Sequence, residues 1–127
     1  MVDQAIASAV KRYLSILHEH QVPASYAVLF GSCARGEEHE GSDIDVFIVS
    51  QEFGRDWQKW NRLLWELRIY GDYRIEPTPV TEDDVVNDDT SLRIEMARRE
   101  GIVIYPGDEI PPMRLDESGI LLKARGG

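Results

Sequence analysis

Apolar residues recur at three- and four-residue spacing through Val2, Ile6, Val10, Tyr13, Leu14 and Leu17. They share one face of a 3.6-residue helix, which predicts an amphipathic helix over residues 3–19, ended by Val22-Pro23. Ser25 to Phe30 is a short apolar run stopped at Gly31, the pattern of a buried strand. Ala34 to His39 leaves room for one or two helical turns, which Gly41-Ser42 breaks. Asp43 to Ser50 reads as a second strand, with Ile44, Val46 and Ile48 on one face and Asp43 and Asp45 on the other. Trp57, Trp60, Leu63, Leu64 and Leu67 predict a second core-facing helix, closed by Gly71. Arg74 to Thr81 is a strand that Pro77 and Pro79 confine to a sheet edge or bring to an early end. Residues 83–99 are helical in character, in two pieces around Asn87-Asp88-Asp89. Residues 101–105 form a last strand, stopped by Pro106-Gly107.

This order, α-β-(α)-β-α-β-α-β, predicts an α/β (α+β) fold, a small mixed β-sheet with helices packed on it. At 127 residues the chain is sized for one domain. The reading divides it into a domain over 1–106 and a C-terminal tail over 107–127. Pro111, Pro112 and the Gly126-Gly127 end disfavour a continuous helix in the tail. Its apolar residues Met113, Leu115 and Ile120-Leu121-Leu122 leave two arrangements open: a flexible tail that docks on a partner, or one folded back on the chain's own sheet.

Composition narrows the classes. With 43% apolar and 29% charged residues the chain is globular rather than disordered. A formal charge of −9 excludes general nucleic-acid binding, but not a nucleotide that arrives with Mg²⁺. No apolar run approaches the ~20 residues of a membrane span, and the N-terminus has no signal-peptide pattern. A single cysteine, Cys33, forms no internal disulfide, so a cytoplasmic setting is expected.

Two like charges at Asp43 and Asp45 on one strand face repel by ~3 kcal/mol at ~5 Å and an effective dielectric of ~20. A divalent cation removes that cost, and two metals form the usual clamp for phosphoryl transfer. The alternative is an ion pair between Asp45 and an arginine such as Arg74. Gly31-Ser32 follows a strand and precedes a helix start, where free N–H groups and a hydroxyl make an anion-binding concavity; the plainer reading is Ser32 as an N-cap. The glycine turn closes one strand and Asp43 opens the next, so both border one site only if the strands run antiparallel. Arg35 has two readings, a phosphate contact or an ion pair with Glu37, Glu38 or Glu40. Cys33 reads as a packing residue. His18, His20 and His39 have no ligand spacing, the tryptophans fit core positions, and the acidic run 37–40 is expected to face solvent.

Gly31-Ser32, ten intervening residues, then Asp43-Ile44-Asp45 resembles the signature of the polymerase-β-like nucleotidyltransferase superfamily. The fuller strings Gly-Ser-Cys-Ala-Arg-Gly-Glu and Ser-Asp-Ile-Asp are similar to its minimal nucleotidyltransferase branch, and the likeness covers most of residues 24–105. The resemblance implies a nucleotidyltransferase fold in which Gly31 and Ser32 hold nucleotide phosphates. It further implies that Asp43 and Asp45 bind two Mg²⁺ ions, or Mn²⁺. It points to Glu76 as the third carboxylate, as metal ligand or base, at a position where many relatives carry Asp; the alternative for Glu76 is a strand residue paired with Arg74 or Arg68. The implied reaction transfers a nucleoside monophosphate, AMP foremost, from ATP or another nucleoside triphosphate to an acceptor hydroxyl. The branch is commonly paired with a small helical HEPN protein as antitoxin and toxin, so a separate partner supplying the acceptor is implied. Two rival readings are an idle nucleotide-binding or antitoxin subunit acting by occlusion, and the catalytic subunit of a small-molecule nucleotidyltransferase.

Overall fold

The computed structural model describes residues 2–39 and 41–122; Glu40 of the acidic run and the Gly126-Gly127 end lie outside them. Helix α1 spans Gln4–Glu19, β1 Tyr26–Phe30, α2 Ser32–Arg35, β2 Ile44–Val49, α3 Trp57–Leu67, β3 Ile75–Val80, α4 Glu82–Asn87, α5 Leu92–Glu100, β4 Ile102–Ile104 and β5 Met113–Arg114. The strands form one sheet in the order β3-β2-β1-β4-β5. This is the mixed α/β architecture that the element order predicts. Strand β1 is antiparallel to β2 and β4, and β2 is parallel to β3. The end of β1 and the starts of β2 and β3 therefore meet at one rim of the sheet.

The sheet is covered on both faces, which is why β1 is apolar at every position and buried throughout. On one face α1 and α3 pack over Leu29, Val46, Ile48 and Ile75. On the other, Ile94 and Ala97 of α5 and Val85 and Val86 of α4 pack over Val28, Phe30, Phe47 and Val49. Helix α1 starts at Asp3, whose carboxylate accepts the Ala5 N–H at 2.6 Å. Tyr13 on its inner face is fully buried, and its hydroxyl donates to the Leu64 carbonyl at 2.6 Å, tying α1 to α3. The helical stretch after β3 divides as expected. Thr81 and Asp84 form a capping box for α4, and Ser91 caps α5. Arg98 joins the two pieces by donating to the carbonyls of Val85 at 2.7 Å, Asp84 at 3.3 Å and Asp88.

Helix α3 differs from the expectation at two tryptophans, of which Trp65 is 38% exposed. Trp57 is 46% exposed rather than in the core, because α3 overhangs the edge strand β3. Its indole N–H donates to the Pro79 carbonyl at 2.9 Å, and the Arg68 guanidinium donates to the Ile75 carbonyl at 3.1 Å. Together with the two prolines, these contacts leave the edge a poor template for another strand.

The segment after Pro106 lies back on the sheet over residues 113–122, the second of the two arrangements the sequence left open. Met113 and Arg114 pair with Val103 and Ile102, and Leu115 and Ile120 are buried in the α5-side core. Lys11 holds the preceding turn through the carbonyls of Tyr105, at 2.8 Å, and Gly107. At the root of this arrangement, a Cβ on Gly101 would lie 2.3 Å from the Ala97 carbonyl oxygen and 2.8 Å from Val28 Cγ1. Neither backbone nor core yields easily there. Gly101→Ala is expected to destabilise the fold by about 1–3 kcal/mol, read as a lower urea midpoint. An unchanged midpoint would contradict this packing.

Candidate active site

The rim where β1 ends and β2 and β3 begin brings together Gly31, Asp43, Asp45 and Glu76 of the residues that the sequence singled out. Asp45 lies opposite Phe30 on β1 and opposite Glu76 on β3. Asp43, two residues before Asp45 on the same face, stands close enough to the Glu76 carboxyl to act on its ionisation. Burial, and then repulsion from Asp43 and Asp45, push the Glu76 carboxyl above its usual range. Asp45 is raised as well, first by burial; the Arg93 cation pulls it back and Asp43 adds repulsion. Among the described residues none of the three carboxylates has an ion-pair partner. Arg74, offered as a partner for Asp45, binds Asp72 at 2.7 Å instead. Arg68 exerts only a distant pull on Glu76.

The Gly31 turn abuts this cluster. Gly31 has φ 76° and ψ −156°, a region open to glycine alone. A Cβ there would lie 3.0 Å from Asp45 Oδ2, so the missing side chain is what lets the carboxylate stand against the turn. The Ala34 and Arg35 N–H groups donate to the Gly31 carbonyl at 3.1 and 3.3 Å. Among the described residues the Ser32 and Cys33 N–H groups make no hydrogen bond, and the Ser32 side chain provides no cap. These are free donors beside three acidic groups, an arrangement that suits a phosphate bridged to carboxylates by a cation.

Carboxylate oxygens are the hard donor type that Mg²⁺ and Mn²⁺ prefer. Among the described residues no group of three or more His, Cys, Asp or Glu side chains is placed to hold a metal ion by itself, the three carboxylates included. An open cluster fits Mg²⁺, which keeps waters and binds through one or two carboxylates plus substrate phosphates.

Other residues fall elsewhere. Arg35 is engaged with Glu37 at 2.8 Å and with Glu100 of α5 at 2.6 Å. Cys33 is buried, its thiol donates to the Asp43 carbonyl at 3.4 Å, and burial pushes that thiol up, which suits packing rather than nucleophilic chemistry. Glu38 does not wholly face solvent. Gly36, left-handed at φ 72°, ends α2 and turns the chain, and Glu38 Oε1 is buried with no hydrogen-bond partner. Its charge also reaches Cys33.

Sequence reasoning passed over Arg93 and Thr78. The Arg93 guanidinium lies 5.2 Å from the Phe30 ring centre and donates to Thr78 Oγ1 at 3.3 Å. With Glu76, Pro77, Trp57, Asn61 and Trp65 the two residues line a groove of about 480 Å³ across the β3 edge. No local motif marks them; only the pairing of β2 with β3 and the return of α5 over the sheet bring them to the site.

Residues 10–104 match the family model of a nucleotidyltransferase domain. No curated protein matches the chain. A solved structure of a protein from Sulfolobus solfataricus, assigned as a candidate nucleotidyltransferase, is 13% identical over 83% of this chain and 84% of that one, with a TM-score of 0.57. A toxin–antitoxin structure determined with AMP-PNP is 15% identical over 89% of this chain and 82% of that one, with a TM-score of 0.53. At these identities the two structures show a shared fold.

Proposed function

The chain belongs to the nucleotidyltransferase domain family, and from that premise we propose that it moves a nucleoside monophosphate, AMP foremost, from a nucleoside triphosphate to an acceptor hydroxyl. The observation that carries this reading is the meeting of Asp43, Asp45 and Glu76, none of them in an ion pair among the described residues, beside the free donors of the Gly31-Ser32 turn. Two Mg²⁺ ions, with Mn²⁺ as a substitute, held by Asp43, Asp45 and Glu76 would neutralise phosphoryl charge. Gly31 and Ser32 hold the β- and γ-phosphates through backbone N–H groups and the hydroxyl. Arg35 joins them only by releasing Glu37 and Glu100. Glu76 would either ligate one of the metals or take the proton of the acceptor hydroxyl. The acceptor oxygen bonds to the α-phosphorus, the bond from that phosphorus to the bridging oxygen breaks, and pyrophosphate leaves.

The reading places the chain in the minimal nucleotidyltransferase branch, acting as antitoxin partner of a small helical HEPN protein that carries the acceptor. The toxin–antitoxin fold neighbour and the exposed rings beside Glu76 support a separate acceptor. The catalytic unit is residues 1–106, with the tail over 107–127 bracing its sheet through residues 113–122. Among the described residues no helix is long and apolar enough to cross a membrane; with a lone cysteine, the cytoplasm is the proposed setting.

Thermal melts in EDTA, in Mg²⁺, and in Mg²⁺ with ATP test the site. At one hundred times the dissociation constant the ligand adds ~2.7 kcal/mol, roughly 10 °C for a chain of this size. The pH dependence has a definite sign. Asp45 and Glu76 have raised folded pKa values, so the strain of their charges is absent below the ordinary carboxylate range and complete above the raised values. The gain from Mg²⁺ is therefore expected to be larger at pH 8 than at pH 5. Equal midpoints in all three solutions would count against the site.

A further inference from the structure

Four arginines lie on the segments that flank the site, two of them acting on its carboxylates, Arg68 on Glu76 and Arg93 on Asp45, and three of the four are committed. Arg35 is paired with Glu37 and Glu100, and Arg74 with Asp72. Arg68 donates to the main-chain carbonyls of Trp65, Tyr73 and Ile75. Arg93 forms no ion pair with a described carboxylate. Its guanidinium lies over the stacked rings of Phe30 and Phe47, 5.2 and 5.5 Å from their centres, and has one 3.3 Å hydrogen bond to the Thr78 hydroxyl. Most of its five N–H donors are unused, and contacts of this kind are weak at an exposed position.

Its place follows from the strand register. Phe30 is the cross-strand partner of Asp45, Thr78 is opposite Phe47, and Glu76 is two residues before Thr78 on the same face. Arg93 thus stands behind Asp45 and Glu76, on the β3 side of the site, and shares with Glu76 the groove that runs over the sheet edge. The Gly31-Ser32 turn is on the β1 side. A triphosphate whose β- and γ-groups lie on that turn reaches Asp45 and Glu76 with its α-group.

We propose that Arg93 contacts the α-phosphoryl group of the bound nucleotide and neutralises its non-bridging oxygens as the acceptor oxygen bonds to phosphorus and pyrophosphate departs. This rests on the nucleotidyltransferase reading above. A planar guanidinium suits two phosphoryl oxygens at once, and beside the metals it would add the one uncommitted cation of these four arginines to a site with three carboxylates and a polyphosphate. The Phe30–Phe47 floor keeps water from one side of it.

The test is binding of ATP, of each diastereomer of its α-thio analogue and of its γ-thio analogue, all with Mg²⁺, to wild type, Arg93→Ala and Arg93→Lys. Arg93→Ala is expected to weaken ATP binding by roughly 10–100-fold, and Arg93→Lys by less, since it keeps the charge. For one α-thio diastereomer the losses from sulfur and from Arg93→Ala should fail to add, whereas the γ-thio and Arg93→Ala effects should add. Wild-type ATP affinity in Arg93→Ala, or additivity with both α-thio diastereomers, overturns the assignment. A melting temperature in Arg93→Ala that falls in step with its affinity assigns the residue a structural role and also overturns it. A wild-type chain that binds none of the nucleotides removes the nucleotidyltransferase reading itself.

Discussion

Asp45→Asn is expected to abolish nucleotidyl transfer, by on the order of 10³-fold or more, and to leave the metal-free protein at least as stable as wild type. The loss exceeds the ~10²–10³ typical of removing one preorganised donor, because on this reading a charge proposed to hold the metal is gone. The gain has the opposite sign for a simple reason. Asp45 is partly buried, lies against Asp43 and Glu76, and has a carboxyl whose pKa is already raised. An amide of the same shape removes that repulsion. Asp43→Asn should behave likewise, and Glu76→Gln should impair transfer. A rate assay and a thermal melt on each variant read both signs. Wild-type transfer by Asp45→Asn would show that the carboxylate does no chemistry. A large fall in stability would show that it is a structural residue.

Gly31→Ala carries the second large effect. A φ of 76° with a ψ of −156° costs a residue with a side chain about 1–3 kcal/mol. The added methyl would stand 3.0 Å from Asp45 Oδ2, so the turn or the carboxylate has to move. Either movement separates the proposed phosphate donors from the proposed metal ligands. Transfer is expected to fall by about 10² or more, because an ångström of misplacement at a reacting centre has that effect. Affinity for Mg²⁺-ATP should fall with it. Activity at wild-type level in a folded Gly31→Ala protein would mean that the close approach of turn and carboxylate has no function.

Much of this fold is legible in local pattern. The apolar spacing of α1, the continuous apolar run of β1 and the alternation in β2 each report how many faces of the element are covered. Asp43 and Asp45 stand out because acidic residues in a half-buried strand need something to balance them. The prolines at 77 and 79 mark β3 as an edge. The antiparallel pairing of β1 with β2, which the chemistry required, is what brings Gly31 beside Asp45.

What stayed hidden depends on contacts distant in sequence. Strand β5 has two residues, too few for a period, and exists because β4 offers it a pairing edge. Trp57 has a core residue's spacing but belongs to a helix that overhangs a sheet edge, so its ring is left in the groove. Glu38 looks like one of a solvated run until the turn at Gly36 brings it back. Arg93 sits in a polar helix with no motif around it, and only the packing of α5 on the Phe30–Phe47 pair sets it beside the carboxylates.

The most direct measurement follows the phosphorus. The chain is incubated with Mg²⁺, a soluble extract as the source of acceptor, and ATP labelled either at the α- or at the γ-phosphate. Nucleotidyl transfer predicts that the α-label enters an acceptor, that the γ-label leaves in pyrophosphate, and that both events stop in Asp45→Asn. Transfer of the γ-label to the acceptor, or its release as inorganic phosphate with no α-label transferred, would contradict the account.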